Sequence, residues 1–319
     1  MVDLHILING WFAGQEGAGS GQYLHHMLAA LPYAAQPRNA AHVRWTLLVP
    51  QVVEATGWPG VVVAPVAPPP LSGALRKLWW EQVTVPTWAR RLHADVLWTP
   101  YWAAPLWQPV PSVVTVHDLI PLLLPDYRGG FMQRAYTALV AATARRSAQV
   151  ITVSEAGARD VVAHLGIAAA RVTPILHGPN QPNHKPATDT DYAELRARLH
   201  LPARYFLYLG GFDVRKNVET LLHAYARYLA LGGDPAVKLV LAGRLPAVDS
   251  AFTPDPRPLV AALGIGDQVH CCGWVDEADK PGLYALATAY LFPSLYEGFG
   301  MTVLEAMQAG TPVITSTTD

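Results

Sequence analysis

The stretch Ser294-Leu295-Tyr296-Glu297-Gly298-Phe299-Gly300-Met301-Thr302-Val303-Leu304-Glu305-Ala306-Met307 decides how this chain folds. The apolar run Ala289-Tyr290-Leu291-Phe292-Pro293 leads into it and reads as a strand. A helix is expected from about Thr302. Between the two, Gly298 and Gly300 flank Phe299 and leave backbone N–H groups clear for a ligand. A strand, a glycine turn and a helix start together make an anion site, because the turn N–H groups and the helix dipole both point outward. Glu297 and Glu305 stand at that place with seven residues between them. Two carboxylates there suit a ligand with a phosphate part and a hydroxyl-rich part. A blander reading fits the same residues. Thr302 and Glu305 match a capping box, and Glu297 is then one more solvated loop acid. The stretch alone leaves both readings open.

Outward from it, the chain alternates strand and helix. Leu4 to Ile8, Val43 to Val49, Val61 to Ala64, Val96 to Thr99, Val113 to Val116, Val150 to Val153 and Val172 to Leu176 read as strands of a first half. Helices are expected at Gly21 to Leu31, Ala74 to Leu92, Phe131 to Ser147, and from an N-cap at Ser154 to Gly166. A second series runs through strands at Tyr205 to Leu209, Lys238 to Leu241, Val269 to Cys272, the run before Pro293, and Pro312 to Thr315. Its helix from Val218 to Leu231 has a core stripe at Val218, Leu221, Leu222, Tyr225 and Leu229. Such alternation predicts parallel sheets with helices on both faces. The fold class is therefore α/β, with two doubly wound Rossmann-like domains facing a cleft. Boundaries are placed at 1–180 for the first domain, 181–200 for a Pro, Asn and Thr-rich linker, and 201–319 for the second. The chain stops right after the fifth strand of the second half, where a domain of this type is expected to continue, so a truncated second domain is expected.

Composition narrows the function. At 319 residues the chain is 51% hydrophobic and 15% charged, which is ample core for two domains. A net charge of −1 argues against a nucleic-acid binder. The two cysteines, Cys271 and Cys272, are adjacent and build neither a disulfide framework nor a four-ligand zinc site, so a reducing, cytoplasmic setting is expected. No secretory signal is read at the start, and prolines interrupt both long uncharged stretches, Ala55 to Leu75 and Val96 to Val116. Nine of the ten tryptophans lie at or before Trp107. Most should be core or pocket wall, and an acceptor groove or a membrane-facing patch is the sharper alternative.

Three further motifs carry chemistry. The loop Gly10 to Gly21, with Gly17, Gly19 and Gly21, leaves the first strand and opens a helix, as phosphate loops do. It fits neither the dinucleotide fingerprint nor a Walker loop, and a plain glycine turn is its bland reading. His117 and Asp118 project from the C-terminal edge of a buried strand into the expected crevice. Asp118 either caps the next turn or orients His117. In Leu209-Gly210-Gly211-Phe212-Asp213-Val214-Arg215-Lys216-Asn217, two cations open a helix that Asn217 can cap. Cations at a helix N-terminus oppose its dipole, so an anion is expected to sit there, and a pyrophosphate fits. Asp189-Thr190-Asp191 has the look of a metal-binding pair but reads as helix capping in a linker.

Together these residues resemble the retaining GT-B glycosyltransferases of family 4, over nearly the whole chain. The resemblance rests on Gly19-Ser20-Gly21-Gln22-Tyr23, Trp80-Glu81-Gln82, Thr115-Val116-His117-Asp118-Leu119, Val153-Ser154-Glu155, Arg215-Lys216-Asn217 and Ser294 to Met307. It implies transfer of a hexose from a nucleotide-diphosphate sugar to a saccharide or lipid-linked acceptor, with retention, as in polysaccharide biosynthesis. In that frame Arg215 and Lys216 hold the diphosphate and Glu305 the ribose. Glu297 holds the transferred sugar beside the N–H groups of the Gly298-Phe299-Gly300 turn. His117 reaches a sugar hydroxyl, and Trp274 and Val275 meet the base through their backbone. Gly17, Gly19 and Gly21 border the diphosphate and acceptor. No metal and no further cofactor are implied, and peripheral contact with the inner face of a membrane is a partner to expect. Similarity around Thr115 to Asp126 makes mannose, as GDP-mannose, the first donor to try. Many members carry arginine or asparagine where Gly211 stands. A non-catalytic nucleotide-sugar-binding module or inactive fragment is the competing reading, and a nucleotide-sugar epimerase a weaker third.

Overall fold

A computed structural model describes residues 3–15, 18–34, 42–53, 58–178 and 188–317. The chain divides into two compact units, Met1–Leu176 and His177–Asp319. Each holds one sheet whose strand pairs are all parallel.

The first unit contains β1 (Asp3–Asn9), β2 (His42–Val49), β3 (Val61–Pro65), β4 (Val96–Thr99), β5 (Ser112–Val116), β6 (Gln149–Thr152) and β7 (Val172–Pro174), in the sheet order β3-β2-β1-β4-β5-β6-β7. The second contains β8 (Arg204–Leu209), β9 (Val237–Ala242), β10 (Val269–Gly273), β11 (Ala289–Phe292) and β12 (Val313–Thr315), in the order β10-β9-β8-β11-β12. Parallel strands are covered on both faces, which is why they read as unbroken apolar runs. Consecutive residues feed opposite cores: Leu47 packs with Leu24, Leu28 and Trp58, while Leu48 packs with Leu7, Trp80 and Leu97. In the second unit Leu207 joins Tyr205, Tyr284 and Tyr290, and Tyr208 joins Leu221, Leu222 and Leu239.

The strand order reverses between β1 and β4 in the first sheet and between β8 and β11 in the second. At such a reversal the loops beyond the strand ends splay apart and leave a crevice for a ligand. The loops that follow β1 and β4, and those that follow β8 and β11, flank these two crevices.

Four sequence expectations change. Residues 181–187 of the expected linker lie outside the described residues, but 188–200 is not linker. A helix Asp189–Arg198 packs into the second unit through Leu195, which is buried with Tyr205 and Leu283. Its start is a capping box, with Thr188 and Asp191 each satisfying the other's backbone N–H, as read for Asp189-Thr190-Asp191. The helix expected from Ala74 to Leu92 is three pieces: Gly73–Trp79, a π-turn Trp80–Thr84, and Val85–Arg91. Pro86 has no N–H for the carbonyl of Gln82, and the ladder slips so that Val85 N–H bonds Trp80 O. Asn217 takes a left-handed conformation with no side-chain cap, and its amide donates instead to Pro293 O at 3.1 Å. Finally, the helix Met301–Gln308 starts from Gly300 at φ 95°, so Thr302 is not its cap and the capping-box reading of Glu305 falls.

Ser154 does cap its helix, accepting from Gly157 N–H, and Gly166 ends it at φ 65°. Tryptophans 58, 80 and 98 are buried, whereas Trp79 and Trp107 are 44% and 48% exposed. Among the described residues no helix is long and apolar enough to cross a membrane.

Candidate functional site

The second unit's reversal point gathers the charges. The loop after β8 carries Arg215 and Lys216 on a short 3-10 turn, and the loop after β11 carries Glu297. Lys216 Nζ and Arg215 Nη1 both reach Glu297 Oε1 at 2.6 Å. Arg215 also donates to Tyr296 O at 3.1 Å, and its own carbonyl accepts from Leu295 N–H at 2.8 Å. The Lys216 ammonium lies 5.6 Å from the Phe292 ring centroid. Burial works to raise the Glu297 carboxyl, but Lys216 and Arg215 outweigh it and hold the group below its ordinary value. Glu297 is therefore a paired carboxylate, not the solvated loop acid of the bland reading.

Glycines set the backbone around this cluster. Gly243, after β9, has φ 137°, and a Cβ there would stand 2.0 Å from Gly210 O. The turn after β8 is thus pressed against the end of β9 as only glycine allows. Tyr208 donates its hydroxyl to Gly211 O, and a Cβ on Gly211 would lie 3.2 Å from Asp213 Oδ2. The Asp213 carboxylate fills the space that a larger residue would take at 211, and it sits 3.5 Å from Arg215 Nε.

The helix after the Glu297 loop brings Glu305 to the Tyr284 hydroxyl, which donates to Oε2 at 3.1 Å. Burial pushes the Tyr284 phenol far up, so it stays a donor. Phe299 meets the His177 ring edge-on at 5.0 Å. At the end of β10, Gly273 turns at φ 75° and Trp274 stands 61% exposed, with the Arg244 guanidinium 5.4 Å from its ring centroid. Val275 is 4% exposed and belongs to the core, so only its backbone is available to a base.

In the first unit, His117 follows β5 as expected. Its Nε2 lies 3.0 Å from Pro100 O; a carbonyl only accepts, so Nε2 carries the proton. Burial lowers its pKa against the opposing pull of Pro100 and Asp118, which favours the neutral ring. Tyr23 meets it edge-on at 4.8 Å. Asp118 accepts from Ile120 N–H at 3.0 Å and so caps the next turn. Gly21 lies inside the helix Gly19–Ala34, where a Cβ would fall 2.0 Å from Gln15 O, while Gly19 has open space; Gly17 lies outside the described residues. An open groove of about 730 Å³, lined by Leu106, Trp107 and Arg146 among others, precedes β5 and β6 and contains none of these residues. Among the described residues no group of three or more His, Cys, Asp or Glu stands placed to hold a metal ion.

Comparison with known proteins follows the same division. The profile of Glycosyltransferase Family 4 matches residues 19–180, and that of Glycosyl transferases group 1 matches residues 193–319. A serotype-specific mannosyltransferase of Escherichia coli is 30% identical over 221 residues, which is 65% of this chain and 25% of that protein. An O-antigen chain mannosyltransferase of Escherichia coli is 28% identical over 214 residues, covering 64% of this chain and 52% of the relative. The aligned region thus spans only a quarter to about half of the length of these relatives. Among solved structures, a sucrose-phosphate synthase from Thermosynechococcus elongatus superposes with TM-score 0.68 at 24% identity, covering 98% of this chain and 81% of that one. An Anabaena protein solved with UDP and glucose gives TM-score 0.65 at 19% identity, covering 98% and 81%. These likenesses show a fold of the two-domain GT-B type.

Proposed function

The chain belongs to glycosyltransferase family 4, and on that premise we propose that it transfers a hexose, mannose first among candidates, from a nucleotide-diphosphate sugar to a saccharide or lipid-linked acceptor with retention of configuration. The observation that carries this reading is the convergence of Arg215 and Lys216 on Glu297 at the reversal point of the second sheet. A diphosphate placed there takes two charged donors at once, and charge-assisted bonds are the strong ones. The relatives named above as mannosyltransferases support the choice of sugar.

Each residue has its share of the work. Arg215 and Lys216 hold the diphosphate and stabilise the charge that grows on it as it leaves. Glu297, relieved of those cations, accepts hydrogen bonds from the transferred sugar. Glu305, oriented by Tyr284, accepts from the ribose. His117, neutral and with its ring fixed by Pro100 and Tyr23, is suited to meet a sugar hydroxyl. The bond from the anomeric carbon to the phosphate oxygen breaks on the face where the bond to the acceptor oxygen forms, and the acceptor's proton passes to the departing phosphate. The protein's cations offset the diphosphate, so donor binding needs no metal.

A donor screen by thermal shift tests the reading first, since a ligand bound only by the folded state raises the melting temperature. GDP-mannose should give the largest shift, and product analysis with acceptor should then show an α-linked sugar if the donor is α-linked. Turnover of the donor to an isomer without acceptor would replace the reading with an epimerase. Binding without either product would leave a nucleotide-sugar-binding module.

A further inference from the structure

The first unit's own reversal point, between β1 and β4, holds a charge pair whose acid is buried and whose cation is partly exposed. Glu81 lies in the π-turn with its side chain 0% exposed. The Tyr136 hydroxyl stands 3.1 and 3.0 Å from its two oxygens, and Lys77 Nζ is 3.5 Å from Oε1. The same ammonium donates to the Tyr136 hydroxyl at 3.1 Å and sits 5.4, 5.3 and 5.1 Å from the ring centroids of Phe12, Tyr101 and Tyr136. Three rings from three segments therefore cage one cation.

The next residue extends the network to the loop after β1. Trp80 Nε1 donates to Asn9 Oδ1 at 2.8 Å, and Trp11 N–H donates to the same oxygen at 3.2 Å. Asn9 Nδ2 donates to the Tyr101 hydroxyl at 2.9 Å, and Tyr101 packs edge-on against Phe12 at 4.9 Å. Loop residues Trp11 and Phe12 are thus tied to the π-turn from both sides.

Such a pair is a poor source of stability, because desolvating the buried carboxylate offsets much of the attraction. Burial indeed acts to raise the Glu81 carboxyl against the pull of Lys77. A π-turn is also a less favourable backbone than the helix it interrupts. Both costs fall at one spot, and the groups it ties together include Trp11 and Phe12 of the loop after β1. We propose that Lys77 and Glu81 are positioning residues: they fix the Gly10–Gln15 loop as a rigid wall of the saccharide acceptor site, so that acceptor binding depends on them and donor binding does not. This rests on the glycosyltransferase reading.

The test removes the charges without opening a hole. Replacing Lys77→Met and Glu81→Leu together leaves an apolar pair but strips the Tyr136 hydroxyl of both partners, so its melting temperature is read first. Amide exchange is read on residues 10–15 of the full chain without any substrate, and the acceptor KM and nucleoside diphosphate affinity are read separately. The double variant should stay folded, keep its diphosphate affinity, exchange the 10–15 amides faster, and raise the acceptor KM about 10- to 100-fold. Native exchange and a native acceptor KM in a well-folded double variant would overturn the proposal. Should the double variant melt early, Tyr136→Phe keeps the ring and removes only the bridging hydroxyl. Faster exchange with a raised acceptor KM in that variant supports the proposal, and native values of both overturn it. If the parent chain transfers no sugar, the functional reading fails, and the exchange arm still decides whether the pair holds the loop.

Discussion

Lys216 and Glu297 are 81 residues apart in the chain and 2.6 Å apart in space. Arg215 reaches the same carboxylate oxygen at the same distance. One acid thus occupies two cations that a diphosphate would claim, and ligand binding becomes an exchange of anions. That exchange separates the two roles in ways that can be measured.

If Glu297 holds the transferred sugar as proposed, Glu297→Gln should cut transfer by about 100-fold or more, since it removes a charged acceptor there. Nucleoside diphosphate should bind as tightly as before or more tightly, because the two cations lose their internal partner. Initial rates and calorimetric titration on one preparation check both halves. Turnover within a few-fold of the parent would reduce Glu297 to a structural counterion.

Lys216→Ala should weaken nucleoside diphosphate by about 1.5–3 kcal/mol and the bare nucleoside hardly at all. Arg215→Ala should cost less, because its guanidinium is also engaged by Tyr296 and Asp213. Equal losses for the two ligands in calorimetry would contradict a phosphate role.

The Glu297 pairing has a signature in acid. Its folded-state pKa lies below the ordinary value of 4.5, so the pairing stabilises the fold above that value and is lost as the pH falls through the folded one. The parent should therefore be more stable than Glu297→Gln at neutral pH, and the gap should narrow steadily below pH 4.5. Urea denaturation across that range reads it; a gap independent of pH would mean that the acid is not ionised and paired.

Two glycines of one motif should part company. Gly21→Ala places a methyl 2.0 Å from Gln15 O and should cost about 1–3 kcal/mol in denaturation. Gly19→Ala meets nothing and sits at a helix start, so it should be neutral or slightly stabilising. Similar losses in both would show that the loop is not held as described.

Donor binding should survive EDTA unchanged, because Arg215 and Lys216 supply the charge that a metal would otherwise bring. Affinity lost with EDTA and restored by manganese would reverse this.

The sheets were legible because strands buried on both faces leave unbroken apolar runs. Val96–Thr99 was bounded to the residue, and Arg204–Leu209 within one. The charged cluster was legible from local patterns, as Arg215 and Lys216 follow a strand and a glycine pair, and Glu297 follows a strand and precedes a glycine turn. Short helices were not: Pro256–Ala262 and Lys280–Ala285 make less than two turns each, too few to show a period. The π-turn had a signal in Pro86 that periodicity alone passes over. Of the Lys77 and Glu81 network only Trp80-Glu81-Gln82 stood out as a motif; its partners did not, since Tyr136 is 55 residues from Glu81 and Tyr101 is 92 residues from Asn9, and no local pattern links such pairs.

Each unit closes its own cores. Leu7, Leu24, Leu47, Trp80 and Val114 line those of the first, and Leu195, Tyr205, Tyr208, Leu222 and Tyr290 those of the second. Recombination near His177 would then hand a whole half from one lineage to another without cutting through a packed interior. Each half keeps its packed interior through such an exchange, and new pairings of the two can arise in a single genetic event.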